Sequence, residues 1–151
     1  MVASVSYCWW ATAGYSDFQK NDNALIGRDI KQMSRLTEAL MGNIDYEYVR
    51  KKRLENFQFL HNHLGKINRL MFDLSTNEVP MVYPFFTDNT NLRQKLIQNK
   101  IYVATYWPEI EKACPSNSFS LHIRKHLLSL PIDQRYNIND MQYILEIILC
   151  K

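Results

Sequence analysis

The side chains able to do chemistry in this chain are few and scattered. His61 and His63 stand two apart. On a helix that spacing turns them to different faces, so they cannot share a metal ion. His122 and His126 stand four apart, which could bring two imidazoles to one ion. With no third ligand near them, a surface coincidence is the plainer reading. Cys8, Cys114 and Cys150 are odd in number, widely spaced and without a C-x-x-C pair. They read as reduced thiols of a cytoplasmic protein rather than disulfides or zinc ligands. No G-x-G-x-x-G, Walker loop, H-E-x-x-H or G-x-S-x-G occurs, so no metal site and no catalytic residue is expected from motifs. Arg50, Lys51 and Lys52 read as a solvated basic face. Arg53 differs, because it falls on an apolar stripe, where a cation must snorkel or find an acid or carbonyl partner. It is expected to be more buried than Lys51 and Lys52.

Composition bounds the function classes. The chain has 151 residues, 46% hydrophobic and 22% charged, ordinary values for a globular domain able to bury roughly 70% of its unfolded surface. A net charge of +3 is too mild to point to nucleic acid. No uncharged apolar run is long enough for a membrane span. Met1 to Tyr15 is fairly apolar but carries no basic region that would make it a secretory signal.

These residues must be positioned by elements that hydrophobic spacing predicts. Residues 1–27 show no clear period and read as a poorly integrated segment. Val2 to Trp10 could be a strand fragment, and Asp17 to Asn23 a polar loop. Residues 28–42 read as a short helix with Met33, Leu36, Leu40 and Met41 on one side. Asp45 caps a long helix, residues 45–64, whose stripe is Tyr46, Val49, Arg53, Phe57, Leu60 and Leu64, running on to Ile67. Strands are predicted at 81–86, 101–104 and 127–132, all in one sheet. Pro80 and Pro84 push the first toward an edge. A helix over 90–99, capped by Asp88, Asn89 or Thr90, turns Leu92, Leu96 and Ile97 inward. Another is predicted from Ser118 to Leu128. The last, over 139–150, is capped by Asn137 or Asn139, with Ile138, Met141, Ile144, Leu145 and Ile148 on its stripe. The order implies an α+β fold, a small mainly antiparallel sheet with helices packed on it, preceded by a long helix.

Several blocks carry a resemblance. Asp45-Tyr46-Glu47-Tyr48-Val49, followed by Lys52-Arg53-Leu54-Glu55-Asn56-Phe57, resembles the helix joining the large and small domains of the DegT/DnrJ/StrS family of pyridoxal-phosphate-dependent sugar aminotransferases. Val82-Tyr83-Pro84-Phe85, Leu92-Arg93-Gln94-Lys95-Leu96-Ile97, Lys100-Ile101-Tyr102-Val103, Tyr106-Trp107-Pro108 and Leu128 to Tyr136 with Asp140-Met141 follow in the family's order. The match covers residues 28–151, the C-terminal part of such an enzyme.

The resemblance implies the small domain of a transaminase, and with it a division at 27/28. It implies amino-group transfer to a keto-sugar in the complete enzyme, with pyridoxal phosphate bound by a large domain of which nothing is recognisable here. Lys20 lies upstream, as the aldimine-forming lysine would, but lacks the Ser-x-x-Lys context. No cofactor is therefore expected on this chain alone, and no activity. Substrate-side candidates are Tyr106 and Trp107, whose turn faces the interdomain cleft in the family, and Arg135. Packing is the plainer reading of Tyr106 and Trp107, while Asp133, Gln134 and Arg135 could reach the cleft and read equally as a group ordering its own turn. A large catalytic domain or chain is the implied partner, with self-association through the aromatic N-terminal segment beside it. A non-catalytic interaction module, or one half of a split aminotransferase, are the other readings.

Overall fold

Side-chain caps fix where four of the described helices begin. The computed structural model describes residues 14–150, and the chain divides into two compact units, residues 1–44 and 45–151. The division read at 27/28 falls inside the first. Helix α1, Tyr15–Asn23, occupies the stretch expected to be a polar loop. No apolar period signals it. Its supports are surface pairs one turn apart, an Asp17–Lys20 ion pair at 3.1 Å and the Tyr15 and Phe18 rings 6.2 Å apart. Helix α2, Arg35–Gly42, is shorter than the expected 28–42, because the Ser34 side chain caps it by accepting from Thr37 N. Among residues 14–44 none is buried; Met33, Leu36, Leu40 and Met41 are all exposed. Val2 to Trp10 lie outside the described residues.

The second unit starts with α3, Tyr46–Leu64, where the Asp45 carboxylate accepts from Tyr48 N at 2.9 Å. Only the later part of the expected stripe is inside. Phe57, Leu60 and Leu64 are buried, while Tyr46 and Ile67 are exposed. Asn56, which the apolar pattern passes over, is buried beside them. Strands β1, Val82–Phe86, and β2, Leu127–Pro131, pair antiparallel, with Tyr83 opposite Leu130 and Phe85 opposite Leu128. Helices α4, Leu92–Gln98, and α7, Ile138–Leu149, complete the core. Helix α3 packs on β1 and on α7, and α4 packs on α7. Two short helices, α5, Ile110–Ala113, and α6, Phe119–His126, run between. Helix α6 stops two residues before the expected Leu128, because β2 begins at Leu127. The result is α+β, a small antiparallel sheet with helices packed against it.

Three details depart from the pattern. Residues 101–104 form no strand; Ala104 makes a single antiparallel bridge to Ser129. Ile101 and Val103 are buried as alternation requires, but the Arg93 guanidinium takes the carbonyls of Val103 and Ala104, each at 3.3 Å, oxygens a ladder would otherwise engage. Ile97 faces solvent rather than the core. Helix α4 is preceded by Asn91 without a side-chain cap; the Asn89 side chain and carbonyl accept from Asn91 N and Leu92 N instead. It ends as a Schellman turn, with Ile101 N bonded to Leu96 O, Lys100 N to Ile97 O, and Lys100 left-handed at φ 64°. At α7 the reciprocal capping box joins Asn137 and Asp140.

Asn56 supplies the longest-range tie. Its Nδ2 lies 3.2 Å from Ile132 O, 3.3 Å from Asp133 O and 3.1 Å from Tyr136 O. Three carbonyls require a donor, which fixes the amide's orientation and leaves Oδ1 buried without a described partner. Replacing Asn56 by alanine strands those carbonyls. Asn56→Ala is therefore expected to cost about 3 kcal/mol in urea unfolding. Asn56→Asp, which turns a carboxylate toward the same oxygens, should cost more. A loss below about 0.5 kcal/mol for alanine would show that water replaces the amide freely.

Candidate functional site

The aromatic turn is positioned by cations behind it. Arg93, on the buried side of α4, donates through Nη1 to Thr105 Oγ1 at 3.0 Å and through Nη2 to Leu127 O at 2.8 Å, besides its bonds to Val103 and Ala104. Burial, then the charge of Arg124, lowers its pKa, yet a guanidinium stays charged at any physiological pH. Arg124 on α6 pairs with Glu111 on α5, and its Nε is buried without a described partner. Residue-type spacing passed over both arginines, although the resemblance includes Arg93. A cation one step from the buried Leu92 was the available signal.

From Thr105 the chain enters Tyr106-Trp107-Pro108. Trp107 has φ 52°, a left-handed backbone unfavourable for a bulky side chain and more so before proline. Its ring is 66% exposed, so burial does not compensate for the strain. The ring centroids of Tyr106 and Trp107 lie 5.7 Å apart at 52°. Tyr106 is half-buried. The two aromatics thus present a bent apolar surface at the tip of a turn held from behind by Arg93.

Arg135 sits elsewhere. Its Nε and Nη2 grip both oxygens of Asp133, at 2.8 and 2.9 Å, and its backbone N–H donates to Oδ1 at 3.1 Å. Its guanidinium also lies 5.8 Å from the centre of the Tyr136 ring. No hydrogen bond or ring contact joins it to Tyr106 or Trp107; its bonds go to Asp133 and its ring contact to Tyr136. Gln134 Oε1 is buried without a described partner. Arg53 stands near Asp133 and binds the carbonyls of Pro80 and Met81, each at 3.2 Å. It is half-buried, and so is Lys52, against expectation, because Lys52 folds onto Glu55 at 2.8 Å. Lys51 is exposed.

Three of the described lysines are engaged by neighbouring groups. Lys20 is exposed beside Asp17. Hydrogen bonding to Glu55 raises the Lys52 pKa, which holds it protonated. Lys95 donates to Cys150 O. Among the described residues, no group of three metal-binding side chains occurs and no helix is long and apolar enough to cross a membrane. Cys114 and Cys150 are free thiols; Cys8 lies outside the described residues. No protein-family model, curated protein or solved structure matches the chain.

The Asp133–Arg135 pair sets an acid response. The Arg135 guanidinium holds the Asp133 carboxyl below the usual carboxylate range, against burial, which pushes it up; the Arg135 backbone N–H and the charges of Arg135 and Arg53 add to the lowering. The same contact raises Arg135. A depressed carboxyl contributes stability that is complete above its unfolded value of about 4 and is lost as pH falls through the folded value. Because the arginine side is 76% exposed, solvent screens the pair to about 0.5 kcal/mol. Arg135→Ala should flatten the acid limb of the stability profile below about pH 4, with little change at neutral pH. An unaltered limb in urea titrations across that range would remove the assignment.

Proposed function

We propose that residues 45–151 are the small C-terminal domain of a sugar-aminotransferase-like protein of the DegT/DnrJ/StrS kind, acting in the reducing cytoplasm beside a large catalytic domain or chain. In this reading the Tyr106–Trp107 surface stacks on a sugar ring, and the remaining N–H groups of the exposed Arg135 donate to an oxygen of the substrate. The domain shapes the substrate side of the cleft and is not catalytic by itself.

One observation carries the reading. The polar residues inside the resembling blocks are the ones that hold the blocks together. Arg53 binds the carbonyls just before the Val82-Tyr83-Pro84-Phe85 block, Asn56 those of the Ile132–Tyr136 block, and Arg93 those of the segments at Val103 and Leu127. These contacts tie the resembling blocks into one unit, as the small-domain reading requires. The exposed Leu36, Leu40 and Met33 before the long helix suit a segment whose cover lies on another domain. A left-handed, exposed Trp107 fits a side chain displayed for contact rather than for packing.

Two measurements test it. The chain is incubated with pyridoxal phosphate, dialysed and reduced with borohydride, and the label is mapped by mass spectrometry. Scattered labelling, or none, is expected, because a stable aldimine needs a lysine held beside the aldehyde with partners for the ring nitrogen and phosphate. Stoichiometric labelling of one lysine would make the chain a compact pyridoxal enzyme and overturn the proposal. Glycine accepts positive φ freely, so Trp107→Gly should unfold within about 1 kcal/mol of the parent. It should also abolish saturation-transfer signals from a keto-hexose that the parent gives. Equal signals from both proteins would remove Trp107 from the sugar contact.

A further inference from the structure

The histidines of α6 are placed by contacts that spacing alone does not reveal. His122 and His126 lie one helical turn apart with ring centroids 4.5 Å from each other. Both rings lie against Phe86 at the end of β1, at 5.7 and 5.8 Å, which restricts their rotation. His126 Nδ1 is 2.9 Å from Thr87 O. A carbonyl only accepts, so Nδ1 carries the hydrogen, and in the neutral ring Nε2 keeps its lone pair. The Thr87 backbone N–H also bonds His126 O at 3.1 Å, fixing the residue from both ends. His122 is exposed, and no described residue hydrogen-bonds either of its ring nitrogens.

We propose that His122 and His126 form a two-imidazole chelate for a late first-row divalent cation, of the class Zn²⁺, Ni²⁺ or Cu²⁺. Metal-bound histidines characteristically donate their second nitrogen to a carbonyl or carboxylate, which sets the tautomer and raises ligand basicity. Thr87 O occupies that place for His126. An ion about 2.0–2.1 Å from a nitrogen of each ring bridges neighbouring imidazoles on one helix face. Imidazole donors without thiolate or carboxylate select these cations over Mg²⁺ or Ca²⁺. Two imidazoles leave further coordination positions on the ion, to be filled by water or by a donor from a ligand. This inference stands on α6 and β1 alone and is independent of the aminotransferase reading.

The test is calorimetric titration of the full chain with NiCl₂. One-to-one binding is expected, weakened about tenfold or more by His122→Ala. The His122 ring is exposed and makes no hydrogen bond, and alanine keeps the backbone bond to Ser118 O, so the substitution leaves the fold intact. His126→Ala should weaken binding as much, with circular dichroism checking that it folds. His63→Ala and Cys150→Ser should bind as the parent does. Failure of the parent to bind Ni²⁺, or unchanged affinity in His122→Ala, overturns the proposal. So does loss of binding in Cys150→Ser, which would place the ion at the thiol.

Discussion

The fold depends on side-chain donors satisfying backbone carbonyls that its small sheet cannot reach. Two strands pair with each other and, beyond one bridge from Ala104 to Ser129, leave their outer edges and neighbouring segments with polar groups to be met otherwise. Asn56, Asn68 and Arg93 meet much of that need, beside Arg53 at the carbonyls just before β1. Asn56 gathers the carbonyls of Ile132, Asp133 and Tyr136. Asn68 donates to Pro84 O at 2.8 Å and accepts from Phe86 N at 2.9 Å and Leu70 N at 3.0 Å, pairing the free edge of β1 as a further strand would. Arg93 joins the segment after α4 to the start of β2. Each is one side chain linking two stretches of main chain, so each converts a local turn into a tertiary restraint.

That arrangement explains the division of labour in the core. Tyr83, Phe85, Leu128 and Leu130 bury the sheet's inner face against Phe57, Leu60, Leu64, Met141 and Leu145. Their burial is the main favourable term and is indifferent to direction. The amides and guanidinium supply direction, because a carbonyl left unpaired in the interior costs more than a bond made there gains. Residues 14–44 show the opposite case. One of their helices has surface pairs and the other a side-chain cap, but neither has a buried side chain, and helices of eight or nine residues are marginal on local terms alone.

The same constraint shapes the chemistry the surface offers. Arg93 is engaged with main chain, so it supports the Tyr106–Trp107 turn rather than meeting a ligand. Arg135 is partly engaged with Asp133 and orders its own loop while keeping a face toward solvent. Phe86 and Thr87, at the end of β1, orient the two imidazoles of α6. In each instance a residue that reads as packing or turn chemistry sets the geometry of one that could bind.

Much of the framework was legible in the residues themselves. The long helix follows from Asp45 and the Phe57, Leu60 and Leu64 spacing. The last helix follows from Asn137 and the Met141, Ile144 and Leu145 stripe, and β1 and β2 from short apolar runs. All are local periodicities or caps, where neighbouring residues carry the information. Helix α1 was not legible, since its surface pairs leave no apolar period. Tertiary structure alone decided that Asn56 is buried, because a polar residue on an apolar face becomes favourable only when distant carbonyls, here those of residues 132–136, arrive to meet its donors. It likewise decided that residues 101–104 make one bridge instead of a strand, because Arg93 bonds the carbonyls of Val103 and Ala104. It decided too that Arg135 bonds Asp133 and not the Tyr106–Trp107 turn. Which side chains share a surface depends on how elements pack, and that depends on contacts between residues far apart in the chain.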